Sequence, residues 1–170
     1  MALRSIRGAS AEDVPILTQI RNDAHAKKVA HGDYAWGQEG DGFSEGWVLN
    51  SLSLRKVYVV EQEGLPVATF SLDWDDETHW GAQEPIAGYA HGLSVKNGFN
   101  GLGLGNFMID WCAHQVRSLG RSFVRLDCDS RNTRLCAYYE SLGFIRAGFG
   151  PKLEHGDHVD SLYEKSVSGR

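Results

Sequence analysis

Long hydrophobic runs are missing from the 170-residue sequence. The longest are of the Val57-Tyr58-Val59-Val60 kind, far below the roughly 20 apolar residues that a membrane-spanning helix needs. No apolar segment follows Met1, so a cleaved leader is not expected and the expected compartment is the cytoplasm. Cysteine is scarce. Cys112, Cys128 and Cys136 form an odd set whose spacings match no zinc motif, as in a reducing compartment, and they are expected to be free thiols, mostly buried. A basic excess is missing too: 17 Lys and Arg against 22 Asp and Glu leave a net charge of −5. No stretch is basic enough to track a nucleic acid or an anionic membrane surface, so neither is an expected partner. Repeats, low-complexity tracts and Ser/Pro linkers are absent, and the 20 glycines are spread along the chain. One domain over residues 1–170 is the simplest organisation.

What the sequence does have is clear periodicity. Residues 3–7 alternate like a short strand, and Ser10 followed by Glu12 and Asp13 reads as a helix start. Val14, Leu17, Ile20 and Ala24 then form one apolar stripe that reaches about Val29. A polar, Gly-rich loop over 31–42 holds Tyr34 and Trp36, and Ser44 caps a second helix carrying Trp47, Val48, Leu49 and Leu52. Residues 57–60 and 67–72 read as a hairpin turning at Glu63-Gly64, and 73–85 as an irregular polar segment with Trp74 and Trp80. A strand over 86–95 would put Tyr89, His91 and Leu93 on one face. The strongest helix starts at Leu104, repeats through Phe107, Met108, Trp111, Cys112, Val116 and Leu119, and stops at Gly120. A strand over 123–128, a helix with Leu135, Tyr138, Tyr139 and Leu142, and strands near 144–149 and 158–167 complete the order β-α-α-β-β-β-α-β-α-β-β.

The informative unit is the strand over 86–95, the turn Asn97-Gly98-Phe99-Asn100-Gly101-Leu102-Gly103-Leu104-Gly105, and the helix that opens after it. Glycines at alternate positions clear side chains away from the main-chain N–H groups, and the helix dipole adds a positive end, which together make a pyrophosphate cradle. Gly101, Gly103 and Gly105 do not give the dinucleotide fingerprint, and no Gly-Lys-Ser/Thr closes a P-loop. A turn that merely lets a helix pack closely on a strand is the alternative for the glycines alone.

Farther on stand Asp127-Cys128-Asp129-Ser130-Arg131-Asn132 and the helix ending Ala137-Tyr138-Tyr139-Glu140-Ser141-Leu142-Gly143-Phe144. With these the chain resembles the GNAT superfamily of acyl-CoA-dependent N-acyltransferases. Asn100-x-x-Gly103-x-Gly105 is similar to that family's Arg/Gln-x-x-Gly-x-Gly/Ala pyrophosphate loop, and the run from Asn132 through Tyr139 to Phe144 to its second cofactor motif; together they cover residues 87–149. The departure is Asn100, where the family has Arg or Gln, so a cation at the phosphates is either lost or supplied by Lys96.

The resemblance implies an α/β fold, a mixed, mainly antiparallel twisted sheet with helices on both faces. It also implies acetyl-CoA as acyl donor and a primary amine, on a small molecule or a peptide N-terminus, as acceptor. Asn100, Gly101, Leu102, Gly103, Leu104, Gly105 and Asn106 would hold the pyrophosphate, and the main chain of Leu93, Ser94 and Val95 with Asn132 would hold the pantetheine arm. Tyr139 would protonate the leaving sulfur: a phenol near pKa ~10 is mostly protonated at neutral pH and can donate to a thiolate whose acid lies near ~8.5. Tyr138 reads as core. His91 is the candidate base or a lining residue of the acceptor site, and Asp127 and Asp129 share a face on which one is a base or both are solvated or capping groups.

Cys128 has no legible His partner, so direct transfer is expected over an acyl-cysteine, and no metal is expected. The cluster His155-Gly156-Asp157-His158-Val159-Asp160 reads as a solvated turn. Tyr34, Trp36, Trp74 and Trp80 are the candidate acceptor-binding residues, and Asp73, Asp75, Asp76 and Glu77 would favour a cationic amine or simply form a surface loop. The rivals are a CoA-binding sensor or interaction module without turnover, and an unrelated nucleotide binder. The expected assembly is a monomer or homodimer.

Overall fold

The structure, a computed structural model, describes residues 2–151 and 159–168. Its elements are β1 (Arg4–Gly8), α1 (Val14–Ala30), α2 (Glu45–Leu54), β2 (Val57–Gln62), β3 (Leu65–Asp73), α3 (Glu77–Trp80), β4 (Ala87–Val95), α4 (Leu104–Ser118), β5 (Phe123–Asp129), α5 (Thr133–Ser141), β6 (Ile145–Phe149) and β7 (Asp160–Ser166). The seven strands form one sheet in the order β1-β2-β3-β4-β5-β7-β6. β4 and β5 run parallel and every other neighbouring pair is antiparallel.

The sequence order of elements is therefore as expected, with one addition. The segment over 73–85 is not irregular throughout: Asp76 accepts a hydrogen bond from the His79 amide and starts the short helix α3. Of the expected turn between the last two strands, His155, Asp157 and His158 lie outside the described residues.

Alternation along the strands builds a core on each face of the sheet. Val59, on one face of β2, packs with Val14, Leu17 and Val48 of α1 and α2. Val60, Phe70, Leu72 and Ala90 face the other way, where Met108, Ile109, Cys112 and Val116 of α4 cover them, and Cys136 and Tyr139 of α5 join the same cluster. Helices thus lie on both faces of the sheet. The three cysteines are buried free thiols, with the Cys128 and Cys136 sulfurs 3.7 Å apart. No helix among the described residues is long and apolar enough to cross a membrane.

The chain enters α1 through a local ion pair. Asp13 accepts two hydrogen bonds of 2.8 Å from the Arg7 guanidinium and one of 2.8 Å from the Ser10 amide. The Arg7 hydrogen bonds hold its carboxyl down at about 2. Asp13→Ala is expected to destabilise the fold by about 1–2 kcal/mol at neutral pH in urea denaturation. A depressed pKa stabilises above the unfolded value of about 4, so the difference between the two proteins should shrink as pH falls from there toward about 2.

Candidate active site

Two irregularities in β4 create the cleft. The parallel pairing of β4 with β5 stops after Ala87↔Phe123, Gly88↔Val124 and Tyr89↔Arg125. Beyond it β4 stays paired with β3 and β5 with β7, so the two central strands part like a fork. The second irregularity is a bulge, because Thr69 pairs with Ser94 while Ser71 pairs with His91, which leaves one extra residue in β4. Gly92 takes the left-handed conformation there (φ +64°), and a Cβ on it would collide with the Arg21 guanidinium. The extra residue also reverses the side-chain parity, so Leu93 joins Ala90 and Val95 on the α4 side rather than sharing a face with Tyr89 and His91 as expected.

The fork opens into a cleft of about 840 Å³ between α1, α2, β4, β5 and α5. The glycine turn forms one end. Gly103 (φ +78°) begins α4, and the amides of Gly103, Leu104, Gly105 and Asn106 donate to no protein acceptor among the described residues. The turn is held from three sides: the Asn97 amide donates to Asp23 (3.0 Å), Lys27 donates to the Asn100 carboxamide (3.1 Å) and Arg4 donates to the Leu102 carbonyl (2.7 Å). Lys27, from α1, is thus the cation beside Asn100, while Lys96 is not on the cleft wall. Lys28 and Arg134 also line the cleft. Four unpaired helix-start amides, a nearby cation and an open strand edge fit a pyrophosphate followed by an extended, amide-bearing arm.

In the middle of the cleft stands Tyr139, 8% exposed, against Phe144 and Tyr163. Its hydroxyl makes no hydrogen bond to the described residues, and burial pushes its pKa above the ordinary phenol value, so the proton is held. Tyr138 is not the core residue the periodicity suggested. It is 42% exposed, lines the cleft, and aims its hydroxyl at the Cα of Gly105, where a side chain would strike it.

The far end is a cluster of histidines and carboxylates. Asp76 lies 3.0 Å from Nδ1 of His79 and 3.3 Å from Nε2 of His91, and Asp127 lies 3.8 Å from His79 and 3.9 Å from His91. The Asp76 hydrogen bond and the nearby carboxylate charges push His79 up to about 9, so it is an imidazolium at neutral pH. Burial pulls His91 down to about 4 and leaves it neutral. Burial also raises Asp127 to about 7, into the range where a carboxylate exchanges protons under ordinary conditions. Asp76, His79 and Asp127 bring ligand-type atoms within 4.8 Å of one another; the His79 imidazolium is the cation these carboxylates share. Asp129, by contrast, is turned into the following loop, accepting from the Arg131 amide (2.9 Å) and pairing with its guanidinium (3.0 Å).

Other expected site residues are placed differently. Asn132 reaches the cleft wall, but its carboxamide is committed at both ends, accepting from the Leu135 amide at the start of α5 and donating to Asp33 (2.7 Å). Ser94 is buried, pairs with Thr69 of β3, bonds the Gly92 carbonyl through its side chain and lies off the cleft wall. Leu102 is exposed and off the cleft wall. Trp36 lines the cleft, but Tyr34 is 43% exposed outside it. Trp80 is 9% exposed and packs edge-on to Tyr89 beneath Arg125, and Trp74 packs on the main core under Arg121. Trp74 also borders a second hollow of about 640 Å³ with Asp73, Asp75, Asp76 and Glu77, which His91 and Arg55 share with the main cleft.

The sequence matches the acetyltransferase (GNAT) family over residues 17–144. It is 28% identical over 95 residues to the uncharacterized N-acetyltransferase YesJ of Bacillus subtilis, an alignment covering 56% of this chain and 47% of that protein. The chain thus spans about half the length of that relative. Among solved structures, a GNAT acetyltransferase of Streptococcus agalactiae superposes with a TM-score of 0.75 at 20% identity, over 96% of this chain and 95% of that one. The yncA protein of Salmonella typhimurium, solved with its cofactor acetyl-CoA, superposes with a TM-score of 0.67 at 19% identity, over 98% and 95%. These likenesses establish a shared fold.

Proposed function

The chain belongs to the acetyltransferase (GNAT) family, and from that premise we propose that it moves an acetyl group from acetyl-CoA directly to a primary amine. The observation that carries this reading is the fork between β4 and β5, with unpaired helix-start amides at one end and a proton-exchanging cluster at the other. Acetyl-CoA, when bound, supplies the acetyl group as a thioester and leaves as the thiol.

The amides of residues 103–106 hold the pyrophosphate, Lys27 answers its charge, and the free main chain of Leu93 and Val95 lies alongside the pantetheine arm. The acceptor attacks as the neutral amine, and as the new C–N bond forms the proton its nitrogen sheds passes to Asp127, the stronger base of the Asp127–His91 pair, and from there to solvent, with the neutral His91 beside it at 3.9 Å. As the C–S bond breaks, the Tyr139 hydroxyl gives its proton to the sulfur and regains one from solvent. Tyr138 steadies the first turn of α4 from outside. The fold is proposed to act as one domain, with the acceptor entering from the His91 side.

Calorimetric titration with acetyl-CoA, CoA, NAD and ATP in parallel tests the reading. Micromolar binding restricted to the two CoA species is the expected result, and no binding of either would overturn it. Lys27→Ala is expected to weaken acetyl-CoA binding about 5-fold, with the loss shrinking at high salt, since a partly exposed charge contact contributes on the order of 1 kcal/mol.

A further inference from the structure

The cleft contains a guanidinium with nothing to balance it. Arg21 projects from α1 between the rings of Trp36 and Phe43, whose centroids lie 4.2 and 4.3 Å from its central carbon. The two rings stand edge to face with each other, 5.9 Å apart, and offer the guanidinium no hydrogen-bond acceptor. Nη1 donates to the Gly92 carbonyl (3.1 Å), whereas Nε is fully buried without a hydrogen-bond partner. No carboxylate among the described residues pairs with it. Arg55, on the same cleft wall, adds a second positive charge close enough to disfavour that of Arg21. A buried polar group is ordinarily satisfied, and an orphaned cation facing a cavity calls for an anion.

Its position says which anion. Arg21 is fixed on Gly92, the strand neighbour of His91, and consecutive Cα atoms lie about 3.8 Å apart. Arg21, His91 and Asp127 all line this cleft, so a ligand with its amine at the His91 and Asp127 end meets Arg21 with an anionic group close by. Resting on the acetyl-transfer reading, we infer that the acceptor is a free α-amino acid, its carboxylate received by the open edge of the Arg21 guanidinium and its amino group presented to Asp127. Polyamines lack the anion, and a peptide N-terminus carries an amide where the carboxylate is required.

The test compares each protein amino acid with its own carboxamide and with 1,4-diaminobutane. Acetylation is followed by thiol release, and binding to CoA-saturated protein by quenching of tryptophan fluorescence, since Trp36 and Trp47 flank Arg21. At least one free amino acid should exceed its carboxamide by about 100-fold in kcat/KM, because a carboxylate-binding guanidinium rejects a ligand without the charge. Arg21→Lys should raise KM for the amino acid by about 10-fold or more with kcat nearly unchanged, as the fork geometry is lost and the charge kept. Arg55→Gln provides a second variant at a partly exposed position, expected to raise KM by about 3-fold. An unchanged acetyl-CoA affinity shows that each variant is folded.

Carboxamides or the diamine acetylated as well as the acids, an Arg21→Lys enzyme with unchanged KM, or a CoA-competent protein that neither binds nor acetylates any amino acid would each overturn the subsite. Failure to bind acetyl-CoA would instead overturn the transferase reading. Titration of the amino acids into the CoA-free protein would then decide the subsite by itself.

Discussion

Tyr139→Phe is expected to lower kcat by about 10²–10³-fold, the usual contribution of one positioned acid, while acetyl-CoA binds within about twofold of the parent. The separation between rate and affinity follows from where the hydroxyl stands. The ring is buried against Phe144 and Tyr163, so phenylalanine keeps the packing, and the hydroxyl forms no hydrogen bond to the described residues that the substitution would break. Only the transferable proton is lost. Thiol release under saturating acetyl-CoA measures the rate, and calorimetry the affinity. Tyr138→Phe serves as the control: its hydroxyl faces Gly105 rather than the middle of the cleft, and its effect should fall on acetyl-CoA affinity. Equal rates for Tyr139→Phe and the parent would assign the acid elsewhere.

Asp127→Asn is expected to cost about 10²–10⁴-fold in kcat/KM, the span of general base catalysis. The pH profile of the parent carries the sharper test. A carboxyl must be ionised to accept a proton, and burial raises Asp127 to about 7. The log of kcat/KM should therefore climb with unit slope below that point and level off above it. His91, pulled down to about 4, is already neutral across this range and contributes no limb there. The asparagine variant should lose the limb along with the rate. A parent profile without a limb between pH ~6 and ~8 would remove Asp127 from the role.

Much of the architecture was legible because it is written in local periodicity. The stripe from Val14 to Ala24, the repeat beginning at Leu104, and the glycines after β4 each specify structure within a few residues of themselves. The cleft's chemistry depends instead on distant pairs. Arg21 and Gly92 are 71 positions apart, Asn132 and Asp33 are 99, and nothing near any of them announces the meeting.

The bulge in β4 was hidden for another reason. One extra residue changes which side every later side chain takes, and alternation read from sequence assumes that no such residue exists. Leu93 takes the α4 side on that account. The two tyrosines show a third limit: Leu135 at the head of their helix tells that one is buried, but the choice of Tyr139 depends on Tyr163 and Phe144 arriving from elsewhere. Trp74 and Trp80 read as acceptor-binding residues in a polar stretch, and only the stacking of Arg121 and Arg125 on them reveals that they support cations inside the fold.

The parting of β4 from β5 gives this sheet an edge in its interior. Outer edges invite pairing with foreign strands, and proteins usually blunt them with charge or cover. This one lies at the floor of a cleft, open to an extended molecule that carries its own amides. The strand ends flanking it are thus a template waiting for one guest. In the empty protein their amides should exchange with solvent deuterium sooner than those of the paired stretch at Ala87–Tyr89, and a bound acyl carrier would complete the ladder and slow them together.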